Sequence, residues 1–294
     1  MVISSVKVNR KHKDRLFCLI FGNEKYRKNT LALYNTLNGT DYPDENAIEL
    51  TTIEDALYIG MKNDLSFIIE DVLSLYEQQS TYNPNMPLRG LLYFSKLYDK
   101  YLITHKCNIY GRNLIKIPAP NYVILYNGKK ELDFAITKLK LSDAFVKAVP
   151  KGEFEWTATM YNLNHKENQG LLEHCRPLYE YTCLVRKIQV YSETKDLYEA
   201  VNQAVEECIQ EDILKEFLLA HKAEVIDVTI TEFNQEVYEN GIREEGIQQG
   251  LEQGLKVLVQ VLAHSITDTE KLYQIVVQSE EYKDRTREQV LKYL

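Results

Sequence analysis

The sequence predicts a mixed α/β (α+β) fold: a core of about 165 residues followed by a helical region. Three observations carry this. Apolar residues recur at helical spacing in Leu16, Phe17, Ile20, Phe21 and again in Leu31, Leu33, Tyr34, Leu37. They alternate at strand spacing in Leu65, Phe67, Ile69. From Gly170 onward the helical period returns and persists.

Asp14 to Leu37 reads as a helix broken near Gly22-Asn23, and Asn38-Gly39 stops it. Residues 40–50 form a loop around Pro43, and Thr51-Thr52-Ile53 begins an extended stretch. Residues 57–69 and 72–79 read as strands separated by Glu70-Asp71. Asn83-Pro84-Asn85 and Pro87 mark a loop, after which Arg89 to His105 carries a broad apolar stripe. Tyr122 to Tyr126 is a short apolar strand that Asn127-Gly128 ends, and another strand covers Glu155 to Leu163. Single helices are expected over Gly170–Tyr191 and Lys195–Lys222.

Gly241, Gly246, Gly250 and Gly254 then interleave with Ile242, Ile247, Leu251 and Leu255, and Leu258 and Leu262 extend the stripe. Each glycine weakens an isolated helix by roughly 1 kcal/mol relative to alanine. Such a segment needs a surface to pack on. A self-association helix giving a homodimer or higher oligomer and a solvated connector helix both fit. Residues 265–294 read as one or two short helices. The expected divisions are 1–165, 166–230 and 231–294.

No stretch approaches the apolar length of a membrane span. Met1 to Arg15 is polar and basic, so no signal peptide is expected. The five cysteines are scattered and form no C-x-x-C pair. Reduced thiols in a cytoplasmic protein are the expectation. There is no G-x-x-x-x-G-K-[ST] or G-x-G-x-x-G run, which removes support for a nucleotide motor or a dinucleotide oxidoreductase. The six histidines show no metal-ligand spacing, and the 21 tyrosines are taken as packing residues.

The net charge of −8 is unevenly spread. Residues 1–130 hold 17 basic and 13 acidic residues, whereas 131–294 hold 18 and 30. Residues 86–130 carry eight basic residues against one acid, Asp99. The basic charge is concentrated where a polyanion can bind.

The chemistry centres on the expected hairpin. With the turn at Glu70-Asp71, opposed residue numbers sum to 141. Asp64 then faces Glu77, and Lys62 faces Gln79. Directly opposed side chains share a face at roughly 5 Å. Two such carboxylates repel unless a cation lies between them, and hard oxygen ligands suit magnesium or manganese. The plain alternative is a solvent-facing strand pair.

An acid on one strand, Glu-x-Gln on the next and then a helix resemble the PD-(D/E)XK, restriction-endonuclease-like core. More closely, the chain resembles the recombination-promoting nuclease (Rpn) family, described also as PD-(D/E)XK transposase-like. The residues that carry this are Asp14-Arg-Leu-Phe17 with Phe21-Gly22-Asn23, Leu33-Tyr34-Asn35 with Asn38-Gly39-Thr40, and Gly60-Met-Lys-Asn-Asp64. Tyr76-Glu-Gln-Gln-Ser-Thr-Tyr-Asn-Pro-Asn-Met-Pro-Leu-Arg89, Tyr122-Val-Ile-Leu-Tyr-Asn-Gly128 and Leu141-Ser-Asp-Ala-Phe145 add to it. Glu206-Glu-Cys-Ile-Gln-Glu-Asp-Ile-Leu-Lys-Glu-Phe217 and the Glu/Gly-rich segment 240–254 complete a similarity over roughly residues 10–255.

The resemblance implies a Mg2+-dependent DNA endonuclease, with Mn2+ able to substitute, acting in recombination of mobile elements or in defence. It implies Asp64 and Glu77 as metal ligands, with the backbone carbonyl of Gln78 adding one. Gln79 stands where most such nucleases have lysine, and Lys62 is the candidate for the missing cation. Asp14 is either a further metal-directed acid or the cap of its own helix. Arg89 is expected to meet a phosphate or to pair with a core carboxylate. Lys96, Lys100 and Lys106 either track the DNA backbone or solvate a helix face. The rival reading is a nuclease-fold protein that has lost cleavage and binds DNA or a protein partner.

Overall fold

A computed structural model describes residues 16–51, 65–150 and 153–294, with the backbone alone over 232–245. The helical period of the N-terminal segment yields two helices, α1 (Leu16–Phe21) and α2 (Arg27–Asn38). Gly22 and Asn23 separate them, as the sequence pattern indicates. Gly39 ends α2 in a left-handed conformation (φ 64°), its N–H donating to the Asn35 carbonyl.

Three strands follow: β1 (Ile48–Leu50), β2 (Leu65–Ile69) and β3 (Val72–Gln79). They pair antiparallel in order. The long helix α3 (Met86–Thr104) then carries the chain back to β4 (Ala119–Tyr126), which lies parallel to β3. β5 (Ile136–Lys140) and β6 (Thr157–Asn162) complete a six-stranded mixed sheet, ordered β1-β2-β3-β4-β6-β5. The fold is therefore mixed α/β.

Strand alternation divides the sheet's two faces. On one, Leu73 and Leu75 of β3 and Tyr122, Ile124 and Tyr126 of β4 pack against Met86, Tyr93, Phe94 and Leu97 of α3. On the other, Phe67 and Tyr76 stack edge to face, and Tyr34 of α2 stacks on Phe67. Each such fully buried apolar side chain contributes roughly 1.5–3 kcal/mol. The central strands are covered on both sides, as a parallel β3–β4 pair requires.

The helical region begins with α4 (Gln169–His174), α5 (Arg176–Tyr191) and α6 (Leu197–Gln210). Tyr181 of α5 packs edge-on against Phe17 and Phe21 of α1, which ties this region to the core. Two expected single helices divide. Pro177 lacks an N–H, so it sits in the first turn of a new helix and the Gly170–Tyr191 stretch breaks at Cys175. The Lys195–Lys222 stretch breaks after Gln210, where Asp212 and Leu214 take left-handed conformations. All five cysteines are free thiols. Burial raises those of Cys175 and Cys208 to about 11 and about 12, so both stay protonated.

α7 (Lys215–Ala263) follows, with a non-helical residue at His221. The chain divides into two compact units, Met1–Thr231 and Glu232–Leu294. In the second, Leu255 and Val259 of α7 pack on Leu272 and Val276 of α8 (Thr269–Val276) and on Val290 of α9 (Arg287–Leu291). The end of the Gly/Leu stripe is thus covered by its own chain, with Leu258 and Leu262 flanking the same cluster. The Ile242 side chain lies outside the described ones. Among the described residues, no helix is long and apolar enough to cross a membrane.

Candidate functional site

β3 is the element that positions the candidate site. Its hairpin with β2 closes through the two residues Glu70 and Asp71, with Glu70 left-handed at φ 49°. Opposed residues run from Ile69↔Val72 to Leu65↔Tyr76, so every described pair sums to 141. The expected register therefore holds over the described hairpin. Asp64, Lys62 and Asp14 lie outside the described residues.

Period-two alternation sends Leu73, Leu75, Glu77 and Gln79 toward α3. Glu77 sits near the carboxyl end of β3 and is 1% exposed. A buried carboxylate costs several kcal/mol unless it is paired and hydrogen-bonded, and every oxygen of Glu77 is matched. Arg89, in the first turn of α3, donates Nη2 to Oε1 at 2.5 Å. Gln79 donates Nε2 to the same oxygen at 2.7 Å. The Tyr122 hydroxyl, from neighbouring β4, donates to Oε2 at 2.6 Å. Of the two roles open to Arg89, this arrangement displays the carboxylate pair.

The approach of α3 to β4 at this point depends on Gly90. A Cβ there would lie 2.3 Å from the Tyr122 ring and 3.2 Å from Nε1 of Trp156. Glycine lets the helix come close enough for Arg89 to reach Glu77 beside Tyr122.

Gln78 points to the opposite face. Its amide donates to Oδ1 of Asn127 at 2.5 Å, in the first residue after β4. Gly128, next in sequence, has no room for a side chain: a Cβ would lie 1.8 Å from the Ser80 carbonyl oxygen. Below Glu77, burial lifts the Tyr76 phenol well above its ordinary range. Its hydroxyl accepts a hydrogen bond from Asn38 at 3.2 Å.

Lys96 and Lys100 follow Arg89 at seven and eleven residues along α3. At 100° per residue the three lie within about 40° of one another, so they form one stripe on the helix. Lys96 is half-buried and Lys100 is exposed. Lys106 follows the helix with φ 52°.

The structure adds two groups that the sequence pattern does not single out. Tyr122 reads as a core residue of an apolar strand, yet it is a direct donor to Glu77. Asn127 reads as a turn residue, yet it anchors Gln78. The signal for Tyr122 is its parity with Ile124 and Tyr126, which only the parallel β3–β4 register converts into a position beside Glu77.

A resident cation is tested by the donor set. Among the described residues there is no group of three or more His, Cys, Asp or Glu able to hold a metal. Glu77 does offer a hard carboxylate that already neutralises one positive group, Arg89. Its Oε1 accepts from both Arg89 and Gln79 and its Oε2 from Tyr122. Glu77 is thus the one hard oxygen donor that the described part of this site offers, and a second ligand would have to come from outside the described residues. Two clefts, of about 630 and 560 Å3, lie against α2 on the side of α4 and α5, and Glu77 lines neither. No family model, curated protein or solved structure matches the chain.

Proposed function

We propose that this chain is a Mg2+-dependent DNA endonuclease with a restriction-endonuclease-like PD-(D/E)XK core, of the Rpn type its sequence resembles. The observation that carries the reading is Glu77: a buried carboxylate at the carboxyl end of a central strand, on the same face as Gln79 and facing the helix that follows. The order of strand, Glu-x-Gln strand and helix supports it, as does the basic stripe on α3.

In this reading Asp64 and Glu77 hold the metal, with the Gln78 carbonyl as a further ligand. A divalent ion held there would supply Lewis acidity toward the scissile phosphate and toward an attacking water. The chain's own groups do the rest. Gln79 can orient a water through its amide but carries no charge. Lys62 is the residue this reading assigns to supply that charge. Arg89, once released from Glu77, presents a forked donor that matches a phosphate. Lys100, exposed on α3, holds the DNA backbone electrostatically, and Lys96, whose Nζ is shielded from solvent, would join it only by turning outward.

The saturation of Glu77 by Arg89, Gln79 and Tyr122 favours a second reading. In it the fold binds DNA or a protein partner and cleaves weakly or not at all. Nicking of supercoiled plasmid with Mg2+ separates the two. Wild type is expected to nick, with Asp64→Asn and Glu77→Gln slower by at least about a hundredfold, and Lys62→Ala impaired. Equal nicking by wild type and both carboxylate variants would overturn the endonuclease. Absence of nicking with DNA binding retained selects the second reading. An unimpaired Lys62→Ala removes the role given to Lys62.

A further inference from the structure

The segment between α3 and β4, residues 105–118, is not used by the site around Glu77. It carries Lys106, Arg112 and Lys116 and no acid. None of the three has an ion pair among the described residues. Between them stand large apolar side chains that solvent reaches freely: Tyr110 is 92% exposed, Leu114 89% and Ile109 59%. Single exposed hydrophobics are ordinary, but three within six residues flanked by cations mark an interaction surface.

The backbone holds this surface out. A turn closes from the Gly111 N–H to the Asn108 carbonyl at 3.1 Å, and Oδ1 of Asn108 accepts from the Tyr110 N–H at 3.1 Å. At its far end the Tyr98 hydroxyl donates to the Pro118 carbonyl at 2.8 Å. Tyr110 thus sits at the corner of a pinned turn.

We propose that this loop grips an unpaired segment of DNA, with the Tyr110 ring stacking on a base and Lys106, Arg112 and Lys116 meeting phosphates. The occupant follows from charge and from shape. Three cations with no ion pair among the described residues complement a polyanion. A protruding aromatic ring gains by stacking on an unpaired base, whereas duplex bases are already stacked. From Arg89 to His105 the helix rises about 24 Å, the length of about seven base pairs at 3.4 Å each. The substrate class is therefore duplex DNA with a single-stranded tail or gap, displaced from the Glu77 end of α3 by about the length of the helix. This placement rests on the endonuclease reading, whereas the chemistry of the loop does not.

The test is fluorescence anisotropy with the full chain, Ca2+ replacing Mg2+. The probes are a blunt duplex, the same duplex with a single-stranded tail, and vesicles of phosphatidylglycerol. Wild type is expected to prefer the tailed duplex. Tyr110→Ala should lose about tenfold on the tailed duplex and nothing on the blunt one, with Tyr110→Phe unchanged. Equal wild-type affinity for blunt and tailed DNA, an equal loss by Tyr110→Ala on both, or loop-dependent binding to vesicles with none to DNA would overturn it. Tail-dependent binding through Tyr110 in a protein that never nicks supports the loop and removes the endonuclease. Nicking with no tail preference keeps the endonuclease and overturns the loop.

Discussion

The two ends of α3 treat positive charge in opposite ways. At its start, Arg89 is drawn onto the buried Glu77, and the close approach at Gly90 makes that pair possible. At its end, Lys106, Arg112 and Lys116 stand among exposed apolar side chains without an ion pair among the described residues. The difference follows from solvation. A carboxylate out of water must be neutralised and hydrogen-bonded where it stands. A surface cation is satisfied by water and gains little from a partner, so it stays available to a ligand. Charge at one end of the helix is therefore neutralised within the fold, and charge at the other is left to solvent.

The largest expected effect breaks the first end. Arg89→Ala leaves Glu77 buried beside only neutral donors and should destabilise the protein by about 3 kcal/mol in urea unfolding. Pairing it with Glu77→Gln should recover much of that loss, because no charge is left unpaired. If Arg89→Ala alone costs nothing, Glu77 is not held as described. Tyr122→Phe removes one hydrogen bond to a charged acceptor and should cost about 2 kcal/mol. Its effect should shrink in the Glu77→Gln background.

An intermediate case lies between α5 and α6. Glu207 accepts from the Tyr191 hydroxyl, from Gln203 at 2.8 Å and from Lys187 at 3.1 Å. These hold its carboxyl at about 2, with the Tyr191 bond the main cause. A depressed carboxylate contributes stability above its ordinary pKa near 4.5 and loses it as pH falls toward 2. Wild type should exceed Glu207→Gln in stability at neutral pH, and the gap should close across that window. A gap independent of pH would contradict the assignment. The smallest effect is expected at the far end of α3. Replacing Lys106, Arg112 and Lys116 together by alanine should change stability by under about 0.5 kcal/mol. The same variant should flatten the salt dependence of DNA binding by about 2–3 in logarithmic slope.

Legibility in the sequence follows the range of the interaction. The β2–β3 register could be read because the alternation of Leu65, Phe67 and Ile69 meets a clear break at Glu70-Asp71, and both signals are local. The end of α2 was equally plain, since Gly39 is the residue a left-handed cap favours. β5 carries no such signal: Ile136-Thr-Lys-Leu-Lys140 lies at a sheet edge, where Lys138 and Lys140 replace the apolar pattern and blunt the edge. Pro177 carried a helix-start signal that the long apolar period obscured. At the candidate site, Glu77 and Gln79 were legible from spacing. The roles of Tyr122 and Gly90 depend on a parallel crossover that joins residues far apart in the chain, and no local pattern encodes it. The Gly/Leu stripe needed a partner, as its composition indicates, and Leu255 finds that partner on α8 and α9 of the same chain.

The most direct test of the central claim is a crystal structure grown with Mn2+, read by its anomalous scattering. The account predicts a peak at coordinating distance from Glu77 and Asp64, with Arg89 turned away from the carboxylate. A site without anomalous signal, with Arg89 still donating to Glu77, would contradict it.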